Sequence, residues 1–396
     1  MKILFLANRV PYPPYRGDKL KIFNLARRLK DRHELHLLTF AQTPEDLSYK
    51  AELEKIFKEV RFIYLPKWKS ALNCLQGVWN SKPLQVLYFQ SGEMQQQLDS
   101  LIATHKYDAV HVQHLRMSPY LAKRKDLPRI LDLPDAFSLY WERRKLVKRG
   151  LLTTMFENLE QGRVLKYEAI LKEYNLALAC SAEDITYLEK THHTNNLRLL
   201  PNGVDLETFA PRDHDYAHNA TILFTGNMDY APNVDAVGYF AEAILPLIRL
   251  KCPTVKFIIA GQRPVPKVMA LASDHVIVTG FVKDLAATYN SASVVVAPLR
   301  FGAGTQNKVL EAMAMGVPVV CSNIGFGGLG IKSGEGAIMQ TAPTAFANSV
   351  IELLWDEGMR RKVGEAGMKV IKTRYDWDII AGTLEGYFRE IGIRNL

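Results

Sequence analysis

The sequence predicts an α/β protein made of two doubly wound domains. Three observations carry this expectation. Short apolar runs alternate with amphipathic helical patterns from the second residue onward. A polar, aperiodic stretch breaks the alternation at 210–220, and a second alternation of the same kind follows it. Strand, helix and strand at this spacing make a βαβ unit, which requires a parallel sheet with both faces covered.

The elements follow in order. KILFLAN (2–8) is an unbroken apolar run ending in the polar loop PYPPYRGD, with Asp18 as the expected helix N-cap. Ile22, Phe23, Ala26 and Leu29 then recur at helical spacing, and HELHLLTF (33–40) reads as the next strand. AVHVQH (109–114), RILDL (129–133), LALACS (176–181) and RLLPNGVD (198–205) are further strands, the last running into an Asn-Gly turn. Residues 139–173 are basic and mostly helical. After the break at 210–220, read as an interdomain link, come TILFTGN (221–227), VKFIIAG (255–261), HVIVTG (275–280), SVVVAP (293–298) and VPVVCS (317–322). A last helix begins near 376. The expected domains are therefore 1–205, completed by 376–396, and 206–375. They are expected to face each other across a cleft lined by loops that follow strands.

The bulk numbers fit this picture. Of 396 residues, 48% are hydrophobic and 23% charged, an ordinary globular composition with enough chain for two domains. The net charge of +9 suits an anionic membrane, a phosphorylated substrate or simply a solvated basic surface. The basic residues lack aromatic interleaving or a nucleic-acid module, so nucleic acid is not an expected partner. Cys74, Cys180, Cys252 and Cys321 lie far apart without a CxxC pair, which fits reduced core thiols in a cytoplasmic protein. MKILFLANRV is too short for a signal peptide. No apolar run reaches about 18 residues, so membrane contact is expected to be peripheral only.

The chemistry points to FGAGTQNKVLEAM (301–313). Gly302 and Gly304 let backbone approach a ligand, and the turn opens directly into a helix. Amides at a helix N-terminus favour an anion such as phosphate, and Lys308 adds a compact positive charge. Glu311 lies one turn on, on the same face, where it can accept hydrogen bonds from hydroxyls. The plain alternative is an amphipathic helix with an ordinary i,i+3 ion pair. GFGGLG (325–330) matches GxGxxG formally but runs into IKSGEG, which is not a helix, so it is set aside. No P-loop and no metal-ligand spacing occurs, and no metal or cofactor is expected. His192 and His193 read as surface-loop residues. His111 and His114 end a strand, either as structural caps or facing the cleft.

In combination, these pieces resemble retaining GT-B glycosyltransferases of family 4, also called group 1. The second half is similar to their donor domain through LPNGVDLETFAP, FTGNMDYAPNVDA, FIIAGQRP, VTGFVKDL and GAGTQNKVLEAMAMGVPVV, in that order. PYPPYRGDKLKIFNLARRL resembles the first glycine loop and helix, and the YDW segment resembles the return to the first domain. The resemblance is weakest over 40–105 and 135–175. It implies two Rossmann-like domains and a nucleoside-diphosphate sugar as donor substrate, with UDP or GDP as the nucleotide. It also implies that Glu311 binds ribose or sugar, and that Gly304, Thr305 and Gln306 hold the distal phosphate. Gly226 and Asn227 would approach the donor, Phe281 and Val282 the base, and the loop at Arg16 and Gly17 the acceptor side.

Three positions depart from the family pattern. Ala303 stands where a first glutamate is common. The usual Arg and Lys after the first donor-domain strand are missing, with Arg263, Arg300 or Lys308 as substitutes. HVQH (111–114) places Gln113 where a second histidine is usual, with His114 as its substitute and a catalytic candidate beside Glu311 and Lys308. The implied reaction is metal-independent hexosyl transfer with retention, serving exopolysaccharide or cell-surface glycan synthesis. Arg143, Arg144, Lys145, Lys148, Arg149, Arg163, Lys166 and Lys172, together with Trp68 and Trp79, would suit a lipid-linked saccharide acceptor on the inner face of the plasma membrane. The alternatives are a GT-B sugar-nucleotide epimerase, which would need acid and base residues in the cleft, and a catalytically degenerate nucleotide-sugar-binding scaffold, which Ala303 would suit.

Overall fold

A computed structural model of the chain describes every residue except 16, 146, 148, 149, 212–215, 217–219 and 394–396. The chain forms two compact units, Met1–Asn202 with Trp377–Leu396, and Gly203–Asp376. Each is an α/β unit around a wholly parallel sheet, as the alternation predicts.

The first unit has seven strands: β1 Lys2–Ala7, β2 Glu34–Ala41, β3 Glu59–Tyr64, β4 Ala109–Gln113, β5 Arg129–Leu133, β6 Leu176–Ala179 and β7 Leu197–Leu199. Their order is β3-β2-β1-β4-β5-β6-β7. Ile3 pairs with Leu35 on one side and Ala109 on the other, so β1 and β4 flank the point where the order reverses. The central strands are buried on both faces, which is why they read as continuous apolar runs rather than alternating ones. One face is covered by the helix Gly17–Leu29 and the C-terminal helix Trp377–Ile393. Ile22, Leu25 and Leu29 share a core there with Trp377, Leu384 and Phe388.

A buried ion pair fixes that first helix. Lys21 Nζ lies 2.6 Å from Asp132 Oδ1 on β5 and 2.9 Å from the Leu200 carbonyl. His111 Nε2 stands 3.2 Å from the other Asp132 oxygen and is fully buried, so His111 is a core residue. Removing either charge would leave the other buried and uncompensated, a loss of about 3–5 kcal/mol.

Several expectations need correction. The first helix starts at Gly17, and Asp18 lies inside its first turn, paired with Arg9 at 3.2 Å. Strand β3 was missed because only Val60 and Ile63 of EVRFIY are buried, so it is not a continuous apolar run. The basic stretch is mostly helical, as expected, and consists of two helices, Phe137–Arg144 and Leu151–Glu168, followed by a 3-10 turn at Ala169–Glu173. His192 is not on a loop. It ends the helix Ala182–His192, is buried, and lies 3.6 Å from Glu168.

The second unit repeats the plan with β8 Thr221–Thr225, β9 Lys256–Ala260, β10 Val276–Gly280, β11 Val294–Ala297, β12 Val319–Cys321 and β13 Ala337–Met339. The order is β10-β9-β8-β11-β12-β13, again wholly parallel. The three-residue β13 was not expected. Most of 210–220 lies outside the described residues. Within it, Tyr216 is buried in this unit, and its carbonyl accepts from Arg360 Nε at 3.0 Å and Nη2 at 2.6 Å. That residue belongs to the packed unit and not to a free link. All four cysteines are free thiols.

Candidate active site

In doubly wound sheets the ligand crevice lies beyond the carboxyl ends of the strands, where the strand order reverses. In the second unit that point lies between β8 and β11, and the predicted residues gather around it.

The end of β8 is shaped by backbone contact. Gly226 has φ +152°, and a Cβ there would lie 2.6 Å from Asn233 Nδ2. Gly261, at the end of β9, has the same φ, and its Cβ would fall 1.7 Å from the Gly226 carbonyl oxygen. Only glycine allows these two strand ends to close on each other. Asn227 is then held on both sides: its carbonyl accepts from Asn233 Nδ2 at 2.9 Å, and its Oδ1 from Gln262 Nε2 at 2.8 Å.

Beyond β11 the chain turns through Phe301, Gly302 at φ +149° and Gly304 at φ +70°, and enters the helix Asn307–Ala314. Gln306 is the N-cap and makes no side-chain capping bond. The glycines of GFGGLG have a packing task. A Cβ at Gly328 would sit 2.8 Å from the Gly304 carbonyl oxygen, so this segment supports the turn from behind.

Lys308 and Glu311 do not form the i,i+3 ion pair of the plain alternative. Lys308 Nζ points to Asn233 Oδ1 at 3.0 Å and Gln306 Oε1 at 3.4 Å, with the Phe224 ring 5.0 Å beneath it. Glu311 Oε2 accepts from Tyr289 at 2.8 Å, and the Tyr289 hydroxyl also contacts Thr225 Oγ1 at 2.6 Å. Burial pushes the Lys308 ammonium down to a pKa of about 8, against the pull of Glu311. Burial raises the Glu311 carboxyl, against Tyr289 and Lys308. A desolvated lysine beside neutral amides favours a nearby negative charge. Asn233, Tyr289, Thr225 and Gln262 escaped the sequence reading. Single buried polar residues carry no spacing, and only their neighbours in space reveal them.

The other candidates spread out. Arg300 is held by Asp235 through two bonds of 2.8 and 2.5 Å and stacks on Tyr239. It is therefore already neutralised, which weakens its case as the substitute cation. Arg263 follows β9 in a left-handed conformation, φ +57°, with Asp229 3.7 Å away. A non-glycine residue held there signals strain of about 1–3 kcal/mol. Phe281 is exposed and Val282 half-buried just past the edge strand β10. Thr305 is buried, its Oγ1 3.5 Å from the Gly328 carbonyl.

In the first unit, the equivalent edge holds His114, just past β4, with φ +80°. It is buried against Phe137, and the Arg116 amide donates to its Nδ1 at 3.3 Å. Burial, then Arg116 and Arg9, hold it well below the usual histidine range, so it is neutral. Gln113 donates to the Asp18 carbonyl and so ties β4 to the start of the first helix. Gly17 is the exposed first residue of that helix, and Arg16 lies outside the described residues. Asp135, also missed, follows β5. Burial and then Asp184 push its carboxyl up to about 8. A carboxyl shifted that far at this edge is a candidate acid or base.

The Lys308 environment is directly testable. Its folded pKa lies below the unfolded value, so unfolding takes up a proton between these values. The Lys308 contribution to stability therefore rises with pH from about 8 towards the ordinary lysine value. The Lys308 13Cε resonance should titrate near pH 8 and vanish in Lys308→Met. A midpoint at the ordinary lysine value would show that the ammonium is solvated.

Comparison with known proteins bears on the fold and the family. Residues 219–356 match the family model described as glycosyl transferases group 1. A Klebsiella pneumoniae protein, described as an uncharacterized 44.6 kDa protein in the cps region, is 22% identical over 95% of this chain and 96% of its own. The phosphatidyl-myo-inositol mannosyltransferase of Mycobacterium tuberculosis is 29% identical, over 47% of this chain and 52% of its own. Among solved structures, Anabaena HepE in complex with UDP superposes with a TM-score of 0.68 at 16% identity, covering 98% of this chain and 100% of that one. The fold is that of GT-B enzymes, and the family match over the second unit supports a glycosyltransferase of group 1.

Proposed function

We propose that the chain transfers a hexose from a nucleoside-diphosphate sugar to a saccharide acceptor, with retention at the anomeric carbon, during synthesis of a cell-surface or exported polysaccharide. The observation that carries this is the desolvated Lys308 in the first turn of the helix Asn307–Ala314, one turn from the Tyr289-bound Glu311. As the glycosidic bond to the nucleotide breaks, negative charge grows on the distal phosphate. Helix-start amides and Lys308 are fixed in advance to receive it, and positive charge of this kind lowers the barrier without a metal in the role. Glu311 is oriented to accept from hydroxyls of the donor. His114 and Asp135, at the carboxyl edge of the first sheet, are the proposed acceptor-side groups. The name of HepE's ligand and the mannosyltransferase relative favour a nucleotide donor, UDP or GDP, and the cps-region relative favours polysaccharide synthesis.

A panel of UDP, GDP, ADP and their sugars in thermal unfolding tests the donor. The matching nucleotide at about 100 times its dissociation constant should add about 2.7 kcal/mol, and Glu311→Ala should lose most of it for the sugar nucleotide. No shift with any member contradicts the donor site. A shift without turnover on any acceptor favours the scaffold reading suggested by Ala303.

The acceptor is proposed to be lipid-linked, with the first unit resting on an anionic membrane. The helix Lys67–Leu75 and the chain after it expose Trp68, Leu72, Leu75 and Trp79. The helix Leu151–Glu168 exposes Leu151, Leu152, Met155, Phe156 and Leu159, with Leu152 82% and Trp79 87% accessible. Arg163 bonds the Gly77 carbonyl and Glu160 takes the Leu84 amide at 2.6 Å, so the helix Leu151–Glu168 is tied to the segment that follows the helix Lys67–Leu75. Lys67, Lys69 and Lys145 are exposed nearby in sequence. The basic stretch contributes less charge than its composition suggests. Arg143 and Arg144 pair with Glu183 and Glu157, and Lys148 and Arg149 lie outside the described residues. Among the described residues no helix is long and apolar enough to cross a membrane. Trp68→Ser with Trp79→Ser should weaken co-sedimentation with phosphatidylglycerol vesicles at least tenfold. Equal partition of variant and native protein would exclude this face.

A further inference from the structure

At the opposite, amino-terminal edge of the first sheet, three residues far apart in sequence converge. His36 on β2 and Glu59 on β3 are register partners on neighbouring parallel strands. His105 caps the end of the helix Gly92–Thr104 and brings its ring edge-on to that of His36, centroids 4.7 Å apart. One oxygen, Glu59 Oε2, faces both rings, 2.9 Å from His105 Nε2 and 3.7 Å from His36 Nδ1. All three ligand atoms lie within 4.8 Å of one another. Ligands of a tetrahedral zinc at bond lengths of about 2.0–2.1 Å stand about 3.3 Å apart, between these two measured separations.

The surroundings are those of a ligand set. His36 Nε2 meets Glu34 Oε1 at 3.0 Å, and Nδ1 meets the Tyr107 hydroxyl at 2.9 Å. A proton on Nε2, given to Glu34, leaves the Nδ1 lone pair facing Glu59, the carboxylate-backed arrangement that orients a metal-bound imidazole. Arg61 holds the other Glu59 oxygen at 2.7 Å and fixes the carboxylate plane. His36 is buried, while His105 and Glu59 are partly open to solvent, which gives an entry path.

We propose that His36, Glu59 and His105 bind a borderline divalent transition ion, with zinc as the fitting case, and so clip the edge strand β3 to the end of the helix Gly92–Thr104. Two imidazoles and one carboxylate favour zinc over magnesium, which prefers oxygen ligands throughout. A fourth position is left for water or the Tyr107 oxygen. Binding places the His105 proton on Nδ1, freeing Nε2 for the ion, and replaces the hydrogen bond from Tyr107. No catalytic step is assigned to the ion, because the site lies at the amino-terminal ends of the strands of the first sheet, opposite the edge that holds His114.

The test uses the full chain, stripped with chelator and titrated with zinc against a chromophoric competitor. One equivalent per chain is expected, unaffected by tenfold magnesium. His105→Gln and Glu59→Gln should each weaken it at least tenfold while far-UV circular dichroism stays native. His193→Gln should leave it unchanged. X-ray absorption should show two imidazole nitrogens among the nearest neighbours. Absence of a competitor-resistant equivalent overturns the proposal. So does an equivalent that survives in both His105→Gln and Glu59→Gln, or is lost in His193→Gln.

Discussion

A parallel sheet that is buried on both faces leaves the chain little choice about where to keep polar function. Each crossover must return to the same starting edge, so every strand delivers its loop to the carboxyl edge. The order reversal opens a gap there that side chains do not fill. Both units obey this constraint with the same strand order. In the second unit the gap falls between β8 and β11, and Gly226, Asn227, Lys308 and Glu311 follow those two strands. The apolar β8 and β11 supply the low-dielectric floor, and the polar residues are the few that the turns place above it.

That floor determines the electrostatics. Lys308 and Glu311 lie close in sequence, and in water they would attract each other weakly. Here each is held apart by its own partner, Asn233 for the lysine and Tyr289 for the glutamate. The two charges therefore remain available in place of cancelling. The cost is visible in the lowered proton affinity of Lys308 and the raised one of Glu311. Such a site favours an arriving negative charge, which in the proposed function is the diphosphate of the donor. That differential is what a transferase needs as its leaving group departs.

Much of this was legible in the sequence because the physics is local. The βα alternation gave both sheets, since buried parallel strands must be apolar runs. The turn at 302–311 stood out because glycine, helix start, lysine and glutamate follow one another directly. What escaped was short or dispersed. β13 has three residues, β3 has only Val60 and Ile63 buried, and the first helix begins two residues earlier than an N-cap at Asp18 would place it. Asn233 and Tyr289 lie 75 and 19 residues from Lys308 and meet it only through the sheet. Arg300 looked like a free cation until Asp235 was seen beside it. His111 and His114 are three residues apart, yet the first is a core residue of β4 and the second stands just past its end, because their neighbours differ rather than their type.

The most direct measurement is the proton uptake that accompanies nucleotide binding. Calorimetry at pH 8.5 in two buffers of different ionisation heat reads it. If a diphosphate closes on Lys308, native protein should take up about 0.7 proton per bound nucleotide, and Lys308→Met should take up none. Binding without uptake, or equal uptake in the variant, would contradict the claim that this lysine receives the leaving diphosphate.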